Sequence, residues 1–142
     1  MPQTSIEMIV EARLRALERE LPDTVQDPEV IYEGGFSRAV ITVADASGNT
    51  LCVEFIEDEE SLLRPLAVDQ FNEATANGVK ALVIVPDRAH LAAAELLSRT
   101  GNPSVELASF SVVGISLLAC RAPKRERPPV QLKRLGRAVR RT

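Results

Sequence analysis

The 142-residue chain has no tryptophan, one tyrosine, four phenylalanines, one histidine and two cysteines. None of the five aromatic residues falls in 121–142, so that stretch offers no base stacking to a nucleic acid. A structural zinc site needs about four Cys or His ligands at metal spacing, and the lone His90 with Cys52 and Cys120 falls short. The two cysteines stand far apart in apolar, strand-like surroundings, which favours small buried thiols over a disulfide in a reducing compartment. No apolar run reaches the roughly 18 residues a membrane-spanning helix requires. The longest, Val112–Cys120, is broken by Gly114 and Ser116. The first residues, MPQTSIEMIVEARLR, lack the basic-then-apolar order of a secretory signal. The expectation is a cytoplasmic protein with no membrane partner.

What the chain does have is the composition of a globular domain. It is 45% hydrophobic and 26% charged, which suits one packed domain with room for a tail. The net charge of −3 conceals two opposed regions. Residues 1–120 carry 8 Lys/Arg against 19 Asp/Glu, a balance of −11. Residues 121–142 carry Arg121, Lys124, Arg125, Arg127, Lys133, Arg134, Arg137, Arg140 and Arg141 against Glu126 alone, a balance of +8. Pro123, Pro128 and Pro129 exclude a helix through the first half of that stretch. The chain therefore divides into a folded body, 1–120, and a basic Pro/Arg-rich extension, 121–142. Such an arm binds DNA or RNA by releasing phosphate-bound counterions, without reading sequence. Alternatively, it clasps an acidic surface on its own body or on a partner, or stays solvated.

Along the body, Ile6, Ile9/Val10, Arg13/Leu14, Leu17 and Leu21 form a helical stripe, with Thr4 or Ser5 as cap and Pro22 as stop. Three β-type runs follow: EVIYEGG, SRAVITVAD and TLCVEFIED. The last two are joined by the turn residues ASGN as a hairpin. The alternation puts Leu51, Val53 and Phe55 on one face of the returning strand and Cys52, Glu54 and Ile56 on the other. Glu54 is thus a carboxylate in mid-strand among apolar neighbours, expected on a sheet face open to water or paired with Arg38 or Arg64. The run Glu57–Glu60 reads as a solvated loop. Residues 62–76 then read as one helix, closed by Asn77-Gly78. VKALVIVP reads as a strand covered on both faces. Asp87 is a prospective cap for the helix RAHLAAAELLSR, and SVELASFSVVGISLLAC supplies one or two strands.

The resulting order, α-β-β-β-α-β-α-β, resembles the restriction-endonuclease-like fold of the PD-(D/E)XK nuclease superfamily. The similarity spans roughly residues 5–118. Its best local piece runs from Glu54-Phe55-Ile56 on the third strand, through Gln70 on the next helix, to VKALVIVP. The resemblance implies an α/β domain with an αβββαβ core, a mixed central sheet flanked by helices, and an extra αβ on the C-terminal side. It also implies a catalytic role for Glu54 and Gln70. In an active member, Mg²⁺ or Mn²⁺ sits between hard carboxylate oxygens and the phosphate.

Here Glu54 matches the third-strand acid, but the following lysine position is Ile56. The residues that face the motif across the hairpin, Ala39, Val40 and Ile41, include no acid, and Asp45 stands about 13 Å further along the strand. A second ligand would have to be Glu33, or Glu7 or Glu11 of the first helix, with Lys80 or Arg38 replacing the lysine. The resemblance therefore implies a degenerate member, a binding or assembly module with no cofactor, and the charge of the extension adds nucleic-acid binding through Lys124, Arg125, Arg127, Lys133, Arg134, Arg137, Arg140 and Arg141. Two alternatives stand beside it. One is a divergent metal-dependent endonuclease using Glu54 with Glu33. The other is a protein-interaction scaffold, a homodimer or a partner of another protein, with an acidic body and a clasping tail.

Overall fold

The computed structural model describes residues 5–113. Cys120 and the whole basic extension lie outside the described residues, as does the second part of the last apolar run. The described chain runs α1 (Ile6–Glu20), β1 (Val25–Glu33), β2 (Phe36–Ala44), β3 (Thr50–Ile56), α2 (Glu59–Leu62), α3 (Ala67–Ala74), β4 (Lys80–Val85), α4 (His90–Ser98) and β5 (Val105–Ser109). The five strands form one mixed sheet in the order β1-β2-β3-β4-β5. The first three make an antiparallel meander, and β4 and β5 join it in parallel. The two parallel joins follow from the helices inserted between their strands, since a parallel connection must cross over a face of the sheet.

Each face of the sheet is covered by different helices. α1 starts at Ser5, whose Oγ accepts a hydrogen bond from the Met8 amide, and its buried side chains Ile6, Val10 and Leu17 recur at helical spacing. They pack with Ala39, Ile41, Val43, Ile56, Ile84 and Phe110. On the opposite face Phe55, Val83 and Val85 pack with Leu62, Phe71 and Ala93. The Phe55 and Phe71 rings meet edge to face, 4.8 Å between centroids. β4 therefore buries both of its faces, as its unbroken apolar run requires. The β2–β3 hairpin closes at Asp45, whose carboxylate accepts from the Ser47 and Asn49 amides, and Gly48 supplies a φ of 91°.

Three expectations need correction. The helix expected over 62–76 is shortened to α3, Ala67–Ala74, and a separate short helix, α2, precedes it and ends at Leu62, ahead of Pro65, which has no amide to extend it. The run Glu57–Glu60 is not a solvated loop: Glu57 is buried and Asp58 caps α2 in a reciprocal pair with Ser61. Asp87 does not cap the following helix. It opens a single 3₁₀ turn, and its carboxylate accepts from the Ser111 amide 24 residues downstream, 3.1 Å away.

That last contact sets a pH dependence. The Ser111 amide holds the Asp87 carboxyl below its ordinary range. A carboxyl depressed in the folded state contributes stability above its unfolded pKa and loses it as the pH falls through the folded value. The advantage of the parent over Asp87→Asn in urea unfolding should therefore be full near neutrality and be lost as acidification protonates the carboxyl. An advantage that grew toward acid would contradict this assignment.

Candidate functional site

Glu54 sits in the middle of β3, on the face covered by α1, level with Ile41 of β2 and Leu82 of β4. It is 3% exposed. An isolated carboxylate so placed would be strongly penalised, and the structure supplies its counter-charge from the first helix. Arg13 continues the buried stripe Ile6–Val10–Arg13–Leu17 and is itself 4% exposed. Its Nε donates to Glu54 Oε1 at 2.7 Å and its Nη2 to Oε2 at 2.8 Å. This two-pronged geometry matches the planar guanidinium to both carboxylate oxygens at once. The remaining Nη1 donates to the Val113 carbonyl at 3.1 Å and approaches Glu20 at 3.6 Å. Burial works against the charge on Arg13, but the hydrogen bonds and attraction from Glu54 outweigh it and hold the guanidinium above its ordinary pKa. The expected setting of Glu54, a water-open face or a pairing with Arg38 or Arg64, is thus corrected to a buried pair with Arg13.

Arg38 and Arg64 belong to a second buried cluster on the opposite face. Arg38 alternates with Ala39 on β2 and so points away from α1. Glu57, just past β3, receives Arg38 Nε at 3.1 Å and Nη2 at 3.0 Å, Arg64 Nη1 at 2.9 Å and Ser61 Oγ at 2.7 Å. Gln70, expected beside Glu54, completes this second group instead, because its Oε1 accepts from Arg64 Nη2. The sheet therefore separates the two residues expected to act together.

The other prospective ligands are also dispersed. Glu33 is the last residue of β1, level with Phe36, whereas the β1 residue level with Glu54 through Ile41 is Pro28. Five residues of strand, roughly 16 Å, separate those levels. Glu7 is exposed, Glu11 lies 3.7 Å from Arg15, and Lys80 is exposed, level with Cys52. Among the described residues no three His, Cys, Asp or Glu side chains are grouped so as to hold a metal ion. A divalent ion at Glu54 would need free carboxylate oxygens and a second acid. Both oxygens are engaged by a cation already, and the facing residue is Ile41. The donor set does not fit Mg²⁺ or Mn²⁺.

Neighbouring Cys52 is half-buried, and burial followed by repulsion from Glu54 pushes its thiol pKa up, away from the reactive thiolate. His90 is exposed at the start of α4. Among the described residues no helix is long and apolar enough to cross a membrane.

Sequence reading placed Glu54 in the right strand and on the right face but missed Arg13. The available signal was a cation in the apolar stripe of a helix together with an anion in the apolar parity of a strand. Two such exceptions in one core call for each other.

The described surface is strongly acidic. Three of the eight cations of the body, Arg13, Arg38 and Arg64, are spent on Glu54 and Glu57, leaving five to face seventeen other carboxylates. Against known proteins the chain matches no family model, no curated protein and no solved structure.

Proposed function

We propose that the chain is a non-catalytic binding or assembly module with a degenerate restriction-endonuclease-like core, whose basic extension is its nucleic-acid-binding element. The observation that carries the loss of catalysis is the Arg13–Glu54 pair: the guanidinium occupies the oxygens a metal would use. The fold family is supported by the meander followed by two parallel strands, with Glu54 on the third. Resemblance of fold does not carry activity with it, and the eight tail cations are the residues assigned to phosphate. Because the described surface is acidic, affinity for a polyanion has to come from that tail.

The test is fluorescence anisotropy of labelled single- and double-stranded DNA with Mn²⁺ present, followed by a denaturing gel. The full chain is compared with one carrying Lys133→Glu, Arg134→Glu and Arg137→Glu. Binding should weaken with salt at a log–log slope of about −0.9 for each phosphate neutralised on duplex DNA. The triple variant should flatten that slope by about three, and the DNA should stay intact. Cleavage by the parent chain would overturn the degenerate reading. Absence of binding would remove nucleic acid and leave a protein-assembly role.

A further inference from the structure

The sheet ends on β1, and among the described residues no strand pairs with its outer edge. Which main-chain groups face that edge follows from the ladder, because successive residues of an antiparallel pair turn their amide and carbonyl alternately toward the partner and away from it. Just past β2 the Asp45 amide donates to Asn49 on the β3 side. Odd-numbered residues of β2 therefore bond toward β3, and even-numbered ones toward β1, where their partners are Asp27, Glu29, Ile31 and Glu33. The alternate residues Gln26, Pro28, Val30 and Tyr32 direct their main chain out of the sheet. Pro28 is tolerated in the strand for that reason, since the amide it lacks would have faced outward. Beyond it, Val30 and Tyr32 each present an amide and a carbonyl that nothing among the described residues occupies.

The two sides of this edge differ. Val30 packs against the α1 cluster, so the even-numbered side chains lie on the α1 face, where Tyr32 is 63% exposed. On the opposite face Asp27, Glu29 and Glu33 are exposed around half-buried Ile31. None of the three acids takes part in a salt bridge among the described residues, and Arg38, level with Ile31, is spent on Glu57. A second copy does not fit this edge. Two β1 strands bonded through Val30 and Tyr32 would set Glu29 of each opposite Glu33 of the other, and like charges directly opposite are destabilising. We infer that the β1 edge receives an extended segment of a partner protein, antiparallel to β1, that alternates apolar and basic side chains. Its apolar residues lie beside Val30 and Tyr32, and its lysines or arginines stand opposite Glu29 and Glu33. Main-chain hydrogen bonds attach the segment, and the two rows of side chains select it. This surface goes beyond the function proposed above and stands whether or not the extension binds nucleic acid.

The test titrates the full chain with a fluorescent peptide of sequence Lys-Val-Thr-Val-Lys, blocked at both ends, and follows amide hydrogen exchange by NMR. Saturation with peptide should slow exchange at Val30 and Tyr32 by about tenfold or more. Methylating the nitrogen of the second valine, which faces β1, should weaken binding about tenfold, by loss of an inward hydrogen bond. The same methyl on the threonine nitrogen, which faces away, should change it by less than about twofold. Glu29→Lys/Glu33→Lys should weaken binding about fivefold or more, and the control Glu7→Lys/Glu106→Lys, with the same charge change elsewhere, by less than about twofold. All four positions are exposed, so the variants retain the fold. No binding, or equal binding of the two methylated peptides, would overturn the inference. So would an equal loss in both charge variants, which would reveal only diffuse attraction to an acidic body. Protection of Val30 and Tyr32 before any peptide is added would overturn it too, by showing that the chain covers this edge itself.

Discussion

Arg13→Met is expected to destabilise the chain by about 3–5 kcal/mol, because it leaves Glu54 as an uncompensated buried charge. Methionine fills much of the volume of the arginine stem, so lost packing contributes little. The double variant Arg13→Met/Glu54→Met should recover most of that loss or exceed the parent, since a buried ion pair seldom outperforms an apolar pair of similar volume. Urea unfolding of the four members of the cycle gives the coupling directly. A double variant as unstable as Arg13→Met alone would mean that packing around Arg13, not its charge, holds α1 to the sheet. The cycle also bears on the site. If Glu54 served only to meet Arg13, the double variant keeps the fold of the parent.

The second large effect is expected at Glu57. Its carboxylate, fully buried, answers two guanidinium groups and a hydroxyl drawn from β2, from the segment after α2 and from α2 itself. Glu57→Gln keeps the shape and removes the charge, leaving Arg38 and Arg64 facing each other without an anion; a loss of about 3–5 kcal/mol follows. Ser61→Ala removes one hydrogen bond from the same cluster and should cost about 1 kcal/mol. Domains of this size hold only about 5–15 kcal/mol in all, so Glu57→Gln should lower the thermal midpoint by many degrees. Equal losses for the two variants would show that the cluster is held by its hydrogen bonds and not by its charge.

The parts of this fold that sequence disclosed are those governed by near neighbours. The hairpin register follows from ASGN and the alternation on either side, and Ala39, Val40 and Ile41 do face Ile56, Phe55 and Glu54. The doubly covered β4 follows from its unbroken apolar run. What escaped was long-range. Glu57 reads as part of a solvated acidic run because Arg38, which neutralises it, is 19 residues away. Asp87 looks like a cap because its acceptor role toward Ser111 spans 24 residues. Glu54 and Gln70 seem to belong together because a family pattern lists them in order, yet they occupy opposite sides of the sheet.

The Arg13 fork also limits how α1 can lie on the sheet. An apolar stripe resting on an apolar face tolerates sliding, because one aliphatic contact replaces another at little cost. A displacement of one helical turn, about 5.4 Å, would bring Ile9 or Leu17 opposite Glu54 and strand both charges. The pair thereby acts as a locating pin: the greasy contacts hold the helix down, and the two prongs on one carboxylate fix where along its length it stops.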